Sequence, residues 1–313
     1  AWMVGTRVQG RNPFSKFAET WLEHIRVQMR ESTFRIYQSQ AKKIIDRFGD
    51  KDIRRIRPLD IDNLITDFAR AGLSYQTLRI RLNLMKRLFA YAVFPAQILH
   101  VNPTDGIKLP KTATRVVIAR KVVKKKEIRR LLKKYPFGCP YHIPILLSYH
   151  TGMRCGEVLG LTWKNVDLQY SCIHVVQQLS YGTERGYYFS PVKTRTSIRD
   201  ILIDKRLVSI LAEWKDVQKE ECGVQNKFDL VCTRKDGNPV SKWSYAGALK
   251  KYGFNTHSLR HTHATLLVEN HAILKDVAVR LGHADTAITA NLYTHHTPTM
   301  SAATKKILDK IFC

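Results

Sequence analysis

Apolar side chains recur at helical spacing in four successive runs between residue 12 and about residue 100. The first run places Phe14, Phe17, Trp21, Leu22 and Ile25 on one face of a helix. Short helices of this kind are marginal alone, and short connections bring successive helices side by side. The pattern therefore predicts a small bundle of four helices.

The boundaries of the last three helices carry residues that favour helix starts and ends. A serine or threonine side chain, or a proline in the first turn, favours a start, and glycine favours an end. The predicted starts are Ser32, Pro58 and Ser74, and the predicted ends are Gly49, Gly72 and the residue before Pro95.

The second part of the chain has a mixed pattern. Helical spacing covers Lys125 to Tyr135 and the run HIPILLSYHTGMRCGEVLGL, and it returns beyond residue 203. The runs CIHVVQQ, YYFSPV and SIRDILI alternate instead, with the turn signal GTERG after the first, which is typical of strands in an antiparallel sheet. The predicted fold is therefore mainly α with a small antiparallel sheet of about three strands.

Composition divides the chain into two domains and a linker. Residues 101–124 contain turn residues and no sustained period, and eleven bases but one acid lie between Lys111 and Lys134. A chain of 313 residues also fits two domains better than one. The predicted segments are a tail (1–11), a helical domain (12–100), a basic linker (101–124), a mixed α/β domain (125–298) and a C-terminal helix (299–313).

The balance of charged residues restricts the partner. The chain has 52 Lys and Arg residues against 26 Asp and Glu residues, which gives a net charge of +26. Such an excess repels itself in a compact fold unless a polyanion binds, so we expect nucleic acid rather than a membrane, for which the chain has no long apolar stretch. An ordinary solvated helix face is the alternative interpretation of the basic residues. Those expected to contact DNA are Arg35, Lys42, Lys43, Arg79, Arg81, Lys86, Arg87, Lys124, Lys125 and Lys126.

The cysteines form no recognisable metal or disulfide pattern. None of the six belongs to a CxxC pair, which argues against a zinc ribbon and a disulfide framework and favours a reducing cytoplasm. They are Cys139, Cys155, Cys172, Cys222, Cys232 and Cys313.

Two stretches carry cations in settings that favour a site. In HTGMRCGEVLGLTW, Arg154 and Glu157 are three residues apart at a helix start, so a carboxylate can orient the guanidinium. A surface ion pair is the alternative, although the neighbouring residues are apolar. Lys193 lies between two strand-like runs, where a β-hairpin could project it into a cleft; a solvent-facing turn lysine is the commoner case.

The stretch HSLRHTHATLL places His257 and Arg260 on one helical face, with His261 one turn beyond His257. Two histidines at this spacing can bind zinc, but HEXXH is absent and no third ligand is suitably spaced. Phosphate fits better, because arginine offers a planar fork to two oxygens and histidine can donate a further hydrogen bond. Further on, His283 precedes Tyr293 by ten residues, and a tyrosine with an ordinary pKa near 10 needs a cationic pocket to act as a nucleophile.

The ordered set TGMRCGE, Lys193, HSLRH, LGH and NLYTH resembles the tyrosine recombinases, or phage-type integrases, over nearly the whole chain. Within that family it is most similar to integrases of bacterial prophages and conjugative transposons. The resemblance implies a four-helix domain that binds the core DNA site and a mixed α/β catalytic domain, which together form a C-shaped clamp around DNA. It also implies site-specific cutting and rejoining that integrates and excises a mobile element.

The resemblance implies a role for each motif residue. Arginines clamp the scissile phosphate, a lysine protonates the departing 5′-hydroxyl, histidines bind the phosphate, and a tyrosine forms a 3′-phosphotyrosine. Fixed cations replace magnesium in such chemistry, so neither metal nor cofactor is implied. The residues carried over are Arg154, Lys193, His257, Arg260, His283 and Tyr293, with Glu157 in support.

Partners follow from the same resemblance. They are double-stranded DNA crossover sites, further copies of the chain from dimer to tetrameric synapse, and accessory DNA-bending or excision factors, in the bacterial cytoplasm at the nucleoid. The C-terminal helix at residues 299–313 is expected either to fold back on its own domain or to cross to a neighbouring protomer. An N-terminal arm-binding domain, as in larger family members, is expected upstream of this sequence, and the run before Thr256 is short for the family.

Three alternatives share some of these features. A Xer-type dimer resolvase has the same residues, and a type IB topoisomerase has the same chemistry without site specificity. A DNA-binding module without catalytic activity is the third alternative, and it would not need the Tyr293 hydroxyl.

Overall fold

The computed structural model of the chain describes residues 10–111 and 122–283, and the chain divides into two compact units, Ala1–Ile118 and Ala119–Cys313. In the described part of the first unit, amphipathic sequence forms four helices, as predicted. They are α1 (Phe14–Arg26), α2 (Glu31–Phe48), α3 (Pro58–Arg70) and α4 (Tyr75–Val93).

Most predicted boundaries of these helices are confirmed. Ser74 caps α4 by accepting a hydrogen bond from the Thr77 backbone N–H at 3.3 Å. α2 ends directly before Gly49, whose φ of 38° is left-handed. The predicted cap at Ser32 is wrong, because α2 already begins at Glu31. An acidic residue in the first turn is favoured by the helix dipole, so Glu31 fits this position.

The core of the first unit lies where the helical faces meet. All five residues of the predicted α1 face are buried, and α4 contributes Leu88 and Phe89 to the same core. Ile107 and Leu109, which belong to the predicted linker, pack against this core as partly buried side chains. The described beginning of the linker is therefore associated with the helical unit.

The second unit combines helices with short strands in its described part. Its helices are α5 (Lys125–Lys134), α6 (His142–Thr151), α7 (Cys155–Leu159), α8 (Lys205–Cys222), α9 (Lys242–Lys250), α10 (Thr256–Glu269) and α11 (Leu274–Leu281). Its strands are β1 (Val166–Asp167), β2 (Cys172–Val175), β3 (Gln177–Gly182), β4 (Gly186–Pro191) and β5 (Arg199–Leu202). None of the described helices is both long enough and apolar enough to cross a membrane.

The strands form two antiparallel sheets rather than the one predicted. One sheet has the order β1-β2-β5, and the other is the β3-β4 hairpin. The predicted run CIHVVQQ is divided between them, because β2 ends at Val175 and β3 begins at Gln177. Lys193 lies in the connection from β4 to β5, which are not paired with each other, so the expected hairpin position for Lys193 is wrong. Alternation predicts a strand but not its partner.

Helix packing in the second unit places the arginine motifs near each other. α10 packs against α6, and α11 packs against both α10 and β5. α7 follows α6 after a short turn that contains Gly152, whose φ of 67° is left-handed. The start of α7, the middle of α10 and the end of α11 consequently meet at one place.

Candidate active site

Four of the predicted site residues converge where α7, α10 and α11 meet. Arg154 directly precedes α7, Glu157 lies within α7, Arg260 lies in α10 and His283 follows α11. Hydrogen bonds to the end of α11 join both arginines to one short backbone segment. The structure thus brings together two arginines that are 106 positions apart in the sequence, 154 and 260.

Arg154 is oriented from three sides. Its Nη1 donates to Glu157 Oε1 at 2.8 Å and to Ser197 Oγ at 3.1 Å, and its Nη2 donates to the Gly282 carbonyl at 2.9 Å. The Arg154 side chain remains 26% exposed, whereas that of Glu157 is 2% exposed. Arg154 has five side-chain N–H groups. Two of them, the one on Nε and one of the two on Nη2, make no hydrogen bond to the described residues and can donate to a ligand oxygen.

Arg260 is held more deeply. Its Nη1 donates to the Gly152 carbonyl at 2.8 Å, and its Nη2 donates to the Leu281 carbonyl at 2.6 Å and to His283 Nε2 at 2.9 Å. A guanidinium can only donate, so His283 Nε2 is the acceptor and the proton of the neutral ring lies on Nδ1. Arg260 thereby fixes the tautomer of the histidine next to it.

The last carbonyls of α11 accept hydrogen bonds from three different arginines. The carbonyl of Arg280 accepts from Arg199 Nε at 2.6 Å, that of Leu281 from Arg260, and that of Gly282 from Arg154. Carbonyls at a helix C-terminus lack partners within the helix and carry partial negative charge. Cationic donors at this end therefore satisfy the backbone, and the backbone in turn fixes the guanidinium groups.

Glu157 is ionised beneath this cluster. Burial raises the pKa of its carboxyl, but the charges and hydrogen bonds of Arg199 and Arg154 outweigh burial, so the pKa is lowered overall. Arg199 Nη2 donates to Glu157 Oε2 at 2.9 Å. The carboxylate therefore links a buried arginine to the partly exposed one.

Lys193 and His257 lie at exposed positions of the same unit. Lys193 is in the β4–β5 connection, and His257 is in the first turn of α10, where its backbone N–H donates to the Asn255 side chain at 2.9 Å. Tyr293 and the predicted C-terminal helix at residues 299–313 lie outside the described residues. Their expected roles remain predictions.

Sequence reasoning missed three residues of the cluster: Arg199, His263 and Arg280. Arg280 donates through Nε to His263 Nε2 at 3.0 Å, and His263 Nδ1 lies 2.9 Å from the Tyr149 carbonyl. Burial, followed by the charge of Arg280, lowers the pKa of His263 to about 3, so this histidine stays neutral. Arg199 could have been found from the alternating run of β5, because it lies on the same strand face as the apolar Ile201, and an arginine on a buried face needs a partner.

Two other groups test alternative chemistry. Burial raises the pKa of Cys155 to about 11, so its thiol is protonated at neutral pH and is a poor nucleophile beside Arg154. Among the described residues, Cys172, His174 and Asp200 could supply metal ligands, since their ligand atoms lie within 4.8 Å of one another on β2 and β5. That group contains none of the histidines for which zinc was considered.

The basic residues predicted to contact DNA differ in exposure. Arg81 is 8% exposed; its Nε donates to Gln40 at 2.9 Å and its guanidinium lies over the Phe68 ring. We therefore leave Arg81 out of the proposed DNA-contacting set. Arg35 is half-buried, and the exposed members are Lys42, Lys43, Arg79, Lys86, Arg87, Lys124, Lys125 and Lys126.

Gly282 gives a test of the backbone geometry at the end of α11. Its φ is +66°, and an added Cβ would lie 3.2 Å from Arg199 Nη1 and 3.1 Å from the Ser197 Cα. We expect Gly282→Ala to lower the free energy of unfolding by about 1–3 kcal/mol, because it combines left-handed strain with close contact. Chemical denaturation measures this change. Gly247→Ala in α9, where nothing lies within 4 Å of the added Cβ, should leave stability equal or slightly higher; equal effects at both positions would contradict the account.

The fold resembles solved structures over nearly its whole length. The integrase of transposon Tn1549, solved in complex with a circular intermediate DNA, matches with a TM-score of 0.77 and 21% identity, covering 96% of this chain and 100% of the other. At that identity the match establishes the fold alone.

Curated relatives match most of the chain. A tyrosine recombinase XerC-like protein of Caldanaerobacter subterraneus subsp. tengcongensis is 29% identical over 322 residues, covering 94% of this chain and 82% of its own. The ICEBs1 integrase of Bacillus subtilis (strain 168) is 28% identical over 295 residues, covering 88% and 77%.

Family models match both units. The model described as "Phage integrase, N-terminal SAM-like domain" matches residues 13–69. The model described as "Phage integrase family" matches residues 121–300, more than half of the 313 residues. With the paired arginines in place and the predicted fold class confirmed, the chain belongs to the phage integrase family of tyrosine recombinases.

Proposed function

We propose that this chain cuts and rejoins duplex DNA at specific sites through a covalent bond between Tyr293 and a 3′-phosphate. The observation that carries the proposal is the pairing of Arg154 and Arg260 on consecutive carbonyls at the end of α11. Tyr293 follows that segment by about ten residues. A fixed pair of guanidinium groups is suited to neutralising the charge that develops on a phosphate in transfer.

The proposed reaction balances without a cofactor. The Tyr293 oxygen attacks phosphorus while His257 takes the phenolic proton, a phosphorus–oxygen bond to the tyrosine forms, and the bond to the 5′-oxygen breaks. Lys193 gives the departing 5′-oxygen its proton. Rejoining runs the same steps in reverse, because the phosphotyrosine ester conserves the bond energy. Arg154, Arg260 and His283 bind the non-bridging oxygens throughout.

The charge distribution supports DNA as the substrate. Lys124, Lys125 and Lys126 are exposed at the start of α5, where the helix dipole disfavours cations. A polyanion relieves this cost by pairing with the lysines and releasing its counterions. The exposed bases of α2 and α4, which belong to the first unit, can pair with a polyanion and release its counterions in the same way.

The similarity to the ICEBs1 integrase supports a mobile element as the source of the DNA sites. We place the reaction in the bacterial cytoplasm at nucleoid DNA, with several copies of the chain acting together on paired sites. The XerC-like relative favours a second candidate, resolution of chromosome or plasmid dimers. The DNA site that the protein cleaves distinguishes the two candidates. Cleavage at a site in an excised circular element supports the first, and cleavage at a site in a chromosome or plasmid dimer supports the second.

A suicide substrate tests the proposed function. It carries a nick beside the cleavage position, so that the short fragment released with a free 5′-hydroxyl diffuses away. Rejoining is then prevented and the covalent complex accumulates. We expect a protein–DNA adduct that resists denaturant, with the linkage on Tyr293 identified by mass spectrometry of the digested complex. Relaxation of supercoiled plasmid without any preferred site would instead indicate topoisomerase activity, and absence of any adduct on candidate element ends would contradict the proposal.

A further inference from the structure

Arg199 occupies the centre of the arginine cluster without reaching its surface. Its side chain is 3% exposed, whereas that of Arg154 is 26% exposed. Three of its nitrogens donate to three different segments: Nη2 to Glu157 Oε2 at 2.9 Å, Nη1 to the Ser197 carbonyl at 2.8 Å and Nε to the Arg280 carbonyl at 2.6 Å. One guanidinium therefore ties α7, the β4–β5 connection and α11 together.

The same three segments hold Arg154. Arg154 donates to Glu157 Oε1, to Ser197 Oγ and to the Gly282 carbonyl. Glu157 and Ser197 thus accept hydrogen bonds from both arginines. The third acceptor of Arg154, the Gly282 carbonyl, lies two residues beyond the Arg280 carbonyl that accepts from Arg199. The two arginines share one carboxylate, with Arg199 on Oε2 and Arg154 on Oε1.

We propose that Arg199 is a positioning residue of the phosphate site, which sets the orientation of Arg154 through Glu157 and through the end of α11. The inference rests on the proposed function, since the phosphate is the ligand that Arg154 is held to meet. Because Arg199 is buried, its proposed effect reaches the phosphate through Arg154 rather than by direct contact.

The charge of Glu157 makes this role measurable. Burial raises the pKa of the Glu157 carboxyl, and Arg199 gives the largest opposing influence. Removing Arg199 leaves burial in place, so the pKa of Glu157 rises. A protonated Glu157 then holds the Arg154 guanidinium less firmly, and cleavage is lost as the pH falls through the raised pKa. A purely structural ion pair would change stability without changing this pH dependence.

Four variants separate positioning from stability. Arg199→Met removes the guanidinium and keeps much of its volume, and Arg199→Lys keeps the charge without the planar fork. Arg199→Met combined with Glu157→Gln removes the group that titrates. Arg234→Met is the matched control: it removes the same charge from the same unit, but Arg234 forms an exposed ion pair with Asp236.

The measurement is the single-turnover rate of adduct formation on the suicide substrate, at saturating protein, from about pH 5 to about pH 8.5. We expect Arg199→Met to be at least about tenfold slower at neutral pH with unchanged affinity for DNA, because a small misplacement of one charge is costly. Its acid limb should move up by about one pH unit or more. The added Glu157→Gln should abolish that movement, Arg199→Lys should recover part of the rate, and Arg234→Met should match the wild type.

A spectroscopic readout keeps the inference separate from the proposed function. The Arg154 Nε–H resonance, identified by its loss in Arg154→Lys, should shift in Arg199→Met and stay in place in Arg234→Met. If the wild type forms no adduct but this resonance shifts, the proposed function fails and the positioning role stands. If the wild type cleaves DNA and Arg199→Met changes neither the pH profile nor the resonance, Arg199 is only structural and the inference is overturned. Should Arg199→Met fail to melt cooperatively, Arg199→Lys decides by the resonance and by the rate at neutral pH, because its charge keeps the pKa of Glu157 low. A wild-type rate with an unmoved resonance in Arg199→Lys overturns the inference.

Discussion

Replacing Tyr293 with phenylalanine is expected to abolish the covalent protein–DNA adduct while leaving the affinity for DNA nearly unchanged. The phenolic oxygen is the only atom lost, and it is the atom that forms the ester with phosphorus in the proposed reaction. The neighbouring His295 and His296 cannot form the same ester. Adduct formation on the suicide substrate is measured on a denaturing gel, and affinity is measured separately by a mobility shift.

A tyrosine that lies away from the site provides the control for this change. Tyr170 is 73% exposed between β1 and β2, so Tyr170→Phe should form the adduct at the wild-type rate. An adduct that persists in the Tyr293→Phe protein would show that another residue is the nucleophile. Loss of DNA affinity together with the adduct would instead point to a binding role for the hydroxyl.

Replacing either Arg154 or Arg260 with alanine is expected to slow cleavage by roughly a hundredfold or more, the scale on which removal of one preorganised charge donor acts. The two variants should differ in stability. Arg260→Ala leaves the buried Gly152 and Leu281 carbonyls without their donor, so it should lower the free energy of unfolding by about 1–3 kcal/mol. Arg154→Ala should lower the free energy of unfolding by less, because Arg154 is partly exposed, while it slows cleavage to a similar extent.

Conservative variants separate the loss of charge from the loss of geometry. A lysine keeps the charge, but one ammonium cannot span the acceptors that Arg260 reaches in two directions. Arg260→Lys should therefore remain slow while binding DNA normally, and Arg234→Ala should cleave as the wild type does. Single-turnover rates at saturating protein and thermal melts measure the two effects. Wild-type rates in both alanine variants would remove these arginines from the active site.

The helical half of the fold follows closely from local sequence. The apolar faces of α1 to α4 need only helical spacing to be predicted, and caps such as Ser74 act on their own first turn. The predicted cap at Ser32 is wrong because α2 begins one residue earlier, at Glu31, an acidic residue that the helix dipole favours in the first turn.

The pairing of the strands and the full set of site residues could not be predicted in the same way, because both bring together residues that are far apart in the sequence. β2 pairs with β1 and also with β5, which lies beyond a whole hairpin, and strand periodicity carries no sign of the second pairing. Arg154, Arg260 and His283 were predicted from their motifs. The role of Arg199 was missed because its acceptors, a carboxylate and two carbonyls, come from distant segments.

The acceptors at the end of α11 have a consequence for how far this sequence can change. Arg154 and Arg260 rely on the carbonyls of Gly152, Leu281 and Gly282, and every amino acid supplies a backbone carbonyl. A side chain at position 281 can therefore be exchanged for another of similar volume without removing the oxygen that its arginine needs. At these three positions mutational drift is limited by backbone shape, whereas at Glu157 and Ser197 the side chain itself accepts the hydrogen bond from Arg154. We therefore expect Gly152 and Gly282, whose φ values are +67° and +66°, to tolerate replacement less well than Leu281 does.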